Sequence, residues 1–151
     1  MAELLTLDAN ILVYSQDQRE PRKHAVAMDL LAQLRTSNAI LTTITLGEFF
    51  NVMVRKFVTA AEARLRLEDF ITLVPVISYE TRHIVRAARE VEARRFAFWD
   101  AVMLASAEEA GCTICLSEDM ADGARLGNIV VKNPFSVRGL NEEVRAFLHQ
   151  N

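Results

Sequence analysis

Short apolar segments alternate with segments of helical periodicity along most of the chain. Five apolar runs predict β-strands at residues 4–7, 39–42, 73–76, 113–116 and 128–132. Between them, apolar residues recur three and four positions apart, which predicts amphipathic helices around residues 27–34, 46–57, 63–71 and 84–91. Strands that alternate with helices predict an α/β fold, in which helices cover both faces of a mostly parallel sheet.

Local signals at helix ends agree with this periodicity. Thr59 and Glu62 have the spacing of a capping box before the third helix. Gly111 is placed to end a further helix that begins near Trp99. A last helix is predicted over residues 141–149, and no linker, repeat or low-complexity segment divides the chain.

Composition narrows the class of protein. The chain has 151 residues, of which 51% are hydrophobic, with only 5 Gly and 3 Pro, so a single domain with a sizeable core is expected. The net charge of −3 argues against a protein that grips nucleic acid by being basic overall, but it leaves room for a local basic patch or a bound metal. Neither a membrane-length apolar run nor a secretion signal is present, so a cytoplasmic location is expected.

Two acidic residues follow predicted strands. Asp8 comes directly after the first strand, and Asp119 follows the strand at 113–116. Ligand sites of parallel sheets lie beyond the carboxyl ends of the strands, so these two side chains are expected to converge. For Asp8 alone, capping of the short helical turn after it is an equally open interpretation. Asp119 has two acidic neighbours, Glu118 and Asp122, and a solvated loop also explains that cluster.

Two further acids lie on predicted helices. Asp100 opens a helix that is apolar or small on every side for the next two turns, so that helix should be mostly buried. The helix dipole stabilises a carboxylate there by about 0.3–1 kcal/mol, whereas burying it unpaired costs several kcal/mol, so a counter-cation is expected. Glu48 shares a helix face with Asn51 and Arg55, but Thr45-x-x-Glu48 is also a capping box, and the sequence does not separate the two roles.

Taken together, these acids predict a metal site. Several carboxylates in one pocket cannot all ionise unless cations neutralise them, and no Lys or Arg is adjacent in sequence to Asp8, Asp100 or Asp119. A set of oxygen ligands suits Mg²⁺ or Mn²⁺ rather than zinc. The chemistry favoured by such a site is metal-assisted hydrolysis of a phosphodiester. The residues predicted to share this site are Asp8, Asp100 and Asp119, joined by Glu48 from the next helix.

Four segments, in order, resemble the PIN-domain ribonucleases, and most closely the toxin component of VapBC-type (type II) toxin–antitoxin pairs. They are "LDANILVY", "TITLGEFF", "FWDAVMLASAEEAGC" and "LSEDMADG", and the "VKNPF" segment near the end belongs to the same pattern. The resemblance runs from about residue 4 to residue 135. It implies a three-layer PIN-like sandwich with a five-stranded, mostly parallel sheet in the order 3-2-1-4-5.

The resemblance also implies a function and partners. The expected activity is Mg²⁺- or Mn²⁺-dependent endonucleolytic cleavage of RNA, with a small cognate antitoxin and a homodimer as the expected assemblies. By match to the motifs, the catalytic and metal-binding positions are taken by Asp8, Glu48, Asp100 and Asp119, with Asp8 and Asp100 as the principal ligands. Ser117 matches the family's hydroxyl position, and we expect Ser117 and Asn10 to position water or the ligands. The PIN domain is expected over residues 1–135, and residues 136–151 form an extension with a short helix within the same domain.

RNA binding by an acidic chain requires local positive charge. The candidate RNA contacts are Arg55, Arg94 and Arg95, which are near the acids in sequence or on a shared helix face. By contrast, Arg82, Arg86 and Arg89 are expected to form a solvated helix face, in which Arg86 and Glu90 make an i, i+4 pair.

Four conspicuous side chains are expected in the core. Cys112 and Cys115 form a CxxC, but they lie in a predicted strand without a second ligand pair, so they are interpreted as buried core residues rather than a redox or zinc site. Phe98 and Trp99 could stack on nucleobases. Because they open an apolar helix, we expect them in the core instead.

Competing functions depend on specific residues. A phosphate-accepting signalling domain requires an Asp after the third strand, where this chain has "LVPVISYE". A phosphatase of the haloacid-dehalogenase type requires a second acid two residues after the first, where Asn10 stands. A housekeeping RNA-processing nuclease, or a PIN-like module that binds RNA or protein without cleavage, stays compatible with the sequence.

Overall fold

The computed structural model describes residues 3–149; residues 1, 2, 150 and 151 of the expected ranges 1–135 and 136–151 lie outside the described residues. Strands and helices alternate through most of this part of the chain. In order, they are β1 (Leu4–Leu7), α1 (Ala9–Tyr14), α2 (Pro21–Leu34), β2 (Ala39–Thr42), α3 (Thr43–Lys56), α4 (Ala60–Leu73), β3 (Val76–Ile77), α5 (Thr81–Glu92), α6 (Phe98–Glu109), β4 (Cys112–Leu116), β5 (Arg125–Leu126), β6 (Ile129–Lys132), β7 (Phe135–Ser136), β8 (Gly139–Leu140) and α7 (Glu142–Leu148).

The central sheet confirms the predicted α/β class and strand order. Its order is β3-β2-β1-β4-β6-β5, and the first five of these strands run parallel. The sheet has one strand more than the five predicted, because Arg125–Leu126 pairs antiparallel with β6. A two-residue strand is too short to produce a periodic pattern. Its tight turn depends on Gly127, whose φ of 58° is in the left-handed region that favours glycine.

The third strand begins later than predicted. The sequence predicted residues 73–76, but Leu73 is the last residue of α4 and the strand is Val76–Ile77. Val74 precedes a proline, which disfavours helical backbone angles and gives this residue an extended conformation. Pairing with β2 then starts at the carbonyl of Pro75, which accepts a hydrogen bond of 2.9 Å from the backbone N–H of Leu41.

Two apolar clusters lie on opposite faces of the sheet. One includes residues of α1 to α4 and α7, and the other includes residues of α5 and α6. Every residue of α6 from 101 to 106 is buried, as its sequence predicted. Cys112 and Cys115 belong to the second cluster, which confirms the expected core role. Burial raises the pKa of the Cys112 thiol to about 12, so this thiol stays protonated at neutral pH.

The C-terminal segment packs on the first cluster. Strands β7 and β8 form a hairpin, and the predicted helix at 141–149 is confirmed as Glu142–Leu148. The side chain of Asn141 caps this helix by accepting a hydrogen bond of 2.9 Å from the backbone N–H of Glu143. Leu140, Val144 and Leu148 are buried. Within residues 3–149, none of the helices has the length and apolarity required to cross a membrane.

Candidate active site

Two neighbouring strands end at the centre of the sheet and bring Asp8 beside Ser117. Leu7 of β1 is paired with Leu116 of β4, and the backbone N–H of Asp8 donates to the carbonyl of Leu116 over 2.9 Å. The hydroxyl of Ser117 then donates to Oδ2 of Asp8 over 2.7 Å. Both side chains are buried, Asp8 with only 4% of its surface exposed.

Asp8 is both a helix cap and a member of this strand-end cluster. Its Oδ1 accepts a hydrogen bond of 2.8 Å from the backbone N–H of Ala9, at the start of α1. Burial raises the pKa of the Asp8 carboxyl, and the hydrogen bonds from Ser117 and Ala9 only partly oppose that rise. The two interpretations left open by the sequence are therefore compatible, since different oxygens take the two roles.

Asn10 connects the strand-end residues. Its side-chain Nδ2 lies 3.2 Å from each of three acceptors: Oδ2 of Asp8, Oγ of Ser117 and Oδ2 of Asp119. Its Oδ1 accepts a hydrogen bond of 3.3 Å from the backbone N–H of Glu118. An amide group has only two N–H donors, so the three acceptors share them. This one amide therefore links the side chains of Asp8, Ser117 and Asp119.

The three acids after β4 have different partners. Glu118 turns towards α2, where it forms an ion pair of 2.8 Å with Lys23 and accepts a hydrogen bond of 2.7 Å from the hydroxyl of Tyr14. Asp122 accepts a hydrogen bond of 2.9 Å from the backbone N–H of Asn133. Of these three carboxylates, only that of Asp119 accepts a hydrogen bond from Asn10, whereas Glu118 contacts Asn10 through its backbone N–H.

The interpretation of Glu48 as a capping residue is wrong. Helix α3 begins at Thr43, and Thr42 is its cap, accepting a hydrogen bond of 3.1 Å from the backbone N–H of Thr45. Thr45 therefore lies inside the helix rather than at its cap. Its buried hydroxyl donates to the carbonyl of Leu7 over 3.2 Å, which fixes the start of α3 against the end of β1.

Glu48 follows Thr45 by about one helical turn, and its side chain is exposed. Partial burial raises the pKa of the Glu48 carboxyl, and the negative charges of Asp8, Asp100 and Asp119 raise it further. Arg55, two turns along the same helix, opposes this rise. The pKa of Glu48 thus responds to all three other predicted acids.

Asp100 lies in the first turn of α6 and lacks the counter-cation that its burial calls for. Burial raises the pKa of its carboxyl to about 6, with further contributions from the charges of Asp8 and Asp119. Within residues 3–149, its carboxylate forms neither a hydrogen bond with a side chain nor an ion pair. The fold therefore maintains a half-buried carboxylate whose charge is not balanced by a direct protein contact.

An open groove is lined by Glu48, Asp100 and Asp119, whereas the buried Asp8 lines neither of its two lobes. One lobe, of about 950 Å³, is lined by Glu48, Asp100 and Arg55 together with Tyr79 and Trp99. A second lobe, of about 410 Å³, is lined by polar and basic residues that include Asn10, Asp119, Arg19 and Lys56. Glu48, Val52 and Arg55 line both lobes, so the lobes meet along α3.

The predicted arginines have several different environments. Arg95 forms an ion pair of 2.7 Å with Glu90, and Arg94 follows α5 with a φ of 59°. Within the described residues, neither side chain hydrogen-bonds to any of the four acids. Of the three arginines, only Arg55 lines the two lobes of the groove.

The expectation of a solvated arginine face on α5 is wrong in part. Arg86 pairs with Glu108 over 2.8 Å instead of with Glu90, and Arg82 pairs with Glu109 over 2.7 Å. The reason is tertiary: α5 packs along α6, so its basic face meets the acidic end of that helix. Periodicity along α5 alone could not reveal that partner.

Trp99 is not in the core, contrary to the sequence-based expectation. It is 53% exposed, whereas Phe98 beside it is partly buried against the second cluster. The start of α6 lies at the groove, so successive residues of its first turn point in different directions. The ring of Trp99 makes edge contacts with Phe98 and Tyr79 at centroid distances of 4.9 and 5.9 Å.

Comparison with known families agrees with this architecture. The family model for the PIN domain matches residues 5–121, a span that contains all four acids, and the chain belongs to this family. None of the curated protein sequences gives a significant match.

Several solved structures share the fold. VapBC2 from Rickettsia felis, bound to a DNA fragment from its promoter, is 14% identical with a TM-score of 0.63, over 86% of this chain and 98% of that one. VapC20 from Mycobacterium tuberculosis, described as a sarcin-ricin loop cleaving toxin, is 17% identical with a TM-score of 0.60, over 79% and 90%. PAE2754 from Pyrobaculum aerophilum is 17% identical with a TM-score of 0.60, over 100% of both chains.

Proposed function

We propose that this protein is a metal-dependent endoribonuclease and the toxin of a toxin–antitoxin pair. The observation that carries the proposal is a groove lined by Glu48, Asp100 and Asp119, with the buried Asp8 linked to Asp119 through Asn10. The pKa values of Asp8, Glu48 and Asp100 are all raised by burial and by neighbouring negative charge. Membership of the PIN family and the likeness of fold to VapC20, which is described as a cleaving toxin, support the same function.

The donor chemistry fits Mg²⁺ or Mn²⁺. Asp8 and Asp100 would be the principal ligands, with Glu48 and Asp119 as further oxygen donors. No three acidic, histidine or cysteine side chains within residues 3–149 are already close enough to share one ion. Mg²⁺ sites commonly use one or two carboxylates and complete the coordination with water and substrate phosphate, so this arrangement suits that mode.

A bound Mg²⁺ or Mn²⁺ would lower the pKa of a water molecule and offset negative charge on the phosphate. The residues of the chain would prepare the reaction around it. Ser117 and Asn10 fix the Asp8 carboxylate through hydrogen bonds of 2.7 and 3.2 Å. Glu48, with its raised pKa and its exposure to the groove, would accept a proton from the attacking water.

Positive charge beside the acids would hold the RNA backbone. Arg55 lines both lobes of the groove and would contact a phosphate next to the cleaved bond. Arg94 and Arg95, which lie between α5 and α6, would contact more distant phosphates. Arg95 would do so with the part of its half-exposed guanidinium that faces solvent, while its ion pair with Glu90 is retained.

The proposed partners are a small cognate antitoxin and a second copy of this chain, in the cytoplasm. Support for the antitoxin comes from similar folds in VapBC complexes, such as those of Rickettsia felis and Salmonella typhimurium, both described as bound to DNA. The open groove is a suitable place for an inhibitory segment, because a segment there would exclude RNA from Glu48, Asp100 and Asp119.

Cleavage of a single-stranded RNA by the purified chain tests the activity. We expect cleavage with added Mg²⁺ or Mn²⁺ and none in excess chelator. Asp8→Asn and Asp100→Asn should abolish cleavage, and Asp69→Asn, which changes an exposed acid on α4, should not. Mn²⁺ should also raise the melting temperature of the wild-type chain more than that of Asp8→Asn, which reports metal binding without relying on activity.

Full cleavage in chelator would disprove the metal mechanism, and full activity of Asp100→Asn would disprove the site. Expression in a bacterial host tests the biological role: the wild-type chain should arrest growth, Asp8→Asn should not, and co-expression of the adjacent small open reading frame should relieve the arrest. Harmless expression of an active enzyme would contradict the toxin role and favour RNA processing.

A further inference from the structure

An exposed aromatic pair lies beside the acids of the candidate active site. Trp99, the only tryptophan of the chain, directly precedes Asp100 and is 53% exposed, and Tyr79 is 37% exposed. Their ring centroids are 5.9 Å apart at an interplanar angle of 67°, and Phe98 also contacts Trp99 edge to face, at a centroid distance of 4.9 Å. These contacts orient the indole while much of its surface stays in contact with solvent.

The same pair lines the larger lobe of the groove, of about 950 Å³. Glu48, Asn51 and Arg55 of α3 also line this lobe, as does Asp100. The lobe therefore combines an aromatic surface, hydrogen-bonding groups and one cationic side chain within a single opening that includes two of the four acids. The exposed indole of Trp99 lies within this lobe, so it is available to a ligand bound beside the acids.

We propose that an unpaired nucleobase next to the cleaved phosphate stacks on the indole of Trp99, with Tyr79 supporting the indole. This inference rests on the proposed nuclease function and adds the part of the substrate that the larger lobe recognises. Aromatic side chains bind bases of single-stranded nucleic acid by stacking, and they tolerate sequence because every base has a π-face. In a duplex the faces of the bases are already stacked, so the site selects unpaired RNA.

The charges of the groove assign the base rather than the backbone to this lobe. Glu48 and Asp100 repel phosphate on the side of Trp99 unless a cation lies between them, whereas a neutral base meets no such repulsion. The second lobe offers three cations where the larger lobe offers one, because Arg19, Arg55 and Lys56 line it, together with the acids Asp17, Glu20, Glu48 and Asp119. An RNA strand thus places a base on Trp99, the cleaved phosphate at the acids and the following backbone beside these cations.

Fluorescence of the wild-type chain tests the stacking directly, since emission at tryptophan wavelengths comes from Trp99 alone. The probes are penta-adenylate, the same oligomer with an abasic central position, and a blunt RNA duplex, all in chelator and at low salt. We expect saturable quenching by penta-adenylate and at least about 5-fold weaker apparent affinity for the abasic oligomer, which is the lower end expected for one stacked base. The duplex should quench less than the single strand.

Variants of the indole provide a second measurement, with anisotropy of dye-labelled penta-adenylate as the readout. Trp99→Leu retains an apolar side chain without a π-face and should weaken binding about 5- to 150-fold, and Trp99→Phe should restore part of the loss. The control is Val137→Ala, which trims a side chain 90% exposed between β7 and β8 and should bind as wild type. Circular dichroism verifies that each variant is folded.

Each result decides the proposal. Unchanged emission with penta-adenylate, equal quenching by the abasic oligomer or the duplex, or wild-type affinity of Trp99→Leu would overturn it. Those results would leave metal-dependent cleavage, which is measured separately, unaffected. Conversely, base-dependent quenching by a chain that does not cleave RNA with Mg²⁺ would refute the nuclease function and retain the base-stacking site.

Discussion

Asp100→Asn should stabilise the metal-free protein at neutral pH although it removes activity. Asp100 is a half-buried carboxylate without a direct cationic partner in the described part of the chain, and its pKa is raised from 3.8 to about 6. Asparagine has nearly the same shape but no charge to bury. The folded state should therefore gain free energy from the substitution wherever the wild-type Asp100 is ionised.

The magnitude follows from the pKa difference. A rise of about 2 in pKa corresponds to about 3 kcal/mol of destabilisation by the ionised form. Water screens a half-buried group, and a neutral side chain loses a helix-dipole interaction of about 0.3–1 kcal/mol, so a net gain of about 1–2 kcal/mol is expected. For a chain of this length that gain raises the melting temperature by about 2–8 °C.

The gain should depend on pH with a definite sign. Because the pKa of Asp100 is higher in the folded state, the folded chain binds more protons between about pH 4 and 6, and stability falls as pH rises through that window. The advantage of Asp100→Asn is thus complete at pH 8 and absent at pH 3.5.

Thermal unfolding in chelator at both pH values measures this effect. The control, Asp69→Asn on the exposed surface of α4, should stay within about 0.5 kcal/mol of wild type at either pH. With saturating Mg²⁺ or Mn²⁺ the order should reverse, because only the wild-type carboxylate gains the cation. The reasoning is refuted if Asp100→Asn is no more stable than wild type at pH 8 in chelator.

Two further predictions concern residues that position the site and the sheet edge. Asn10→Ala should lower the cleavage rate or the Mn²⁺ affinity about 10- to 100-fold, because Asp8 and Asp119 both lose its amide; an unchanged rate and affinity would exclude a positioning role. Gly127→Ala should reduce stability to urea by about 1–2 kcal/mol, because φ is 58° and a Cβ atom would lie 2.5 Å from Nη2 of Arg86. Gly47→Ala, in open space within α3, should instead gain about 0.5–1 kcal/mol, and a shift in the same direction for both would contradict this account.

Local patterns were sufficient for most elements of the fold. The strand at residues 39–42 and the buried helix at residues 98–109 were predicted because apolar period and capping depend only on near neighbours in sequence. The errors occurred where a neighbour in space mattered. Helix α3 is capped by Thr42, and Thr45 lies buried inside it with its hydroxyl bonded to Leu7, 38 residues away in sequence. For that reason the sequence could not decide between capping and site roles for Glu48.

The acids show the same division. A strand-end Asp8 and a helix-opening Asp100 were recognisable as chemically conspicuous, because a carboxylate beside apolar sequence requires a partner. The distinction between Glu118 and Asp119 was not recognisable, since it depends on Lys23 and Asn10, more than 90 residues away in sequence. Arg86 likewise forms its ion pair with Glu108 on α6 and not with Glu90 on its own helix.

By itself, the sequence determined the α/β class and the candidate acids, because hydrophobic periodicity and the energetic cost of buried charge act locally. The order of the main strands followed from the resemblance to the PIN family and not from any local pattern. The tertiary structure alone decided which oxygen of Asp8 meets Ser117, which acid after β4 joins the site, and that Trp99 faces a groove instead of the core. These features depend on side chains brought together by the parallel sheet from distant parts of the chain, and no local pattern records the direction in which they point.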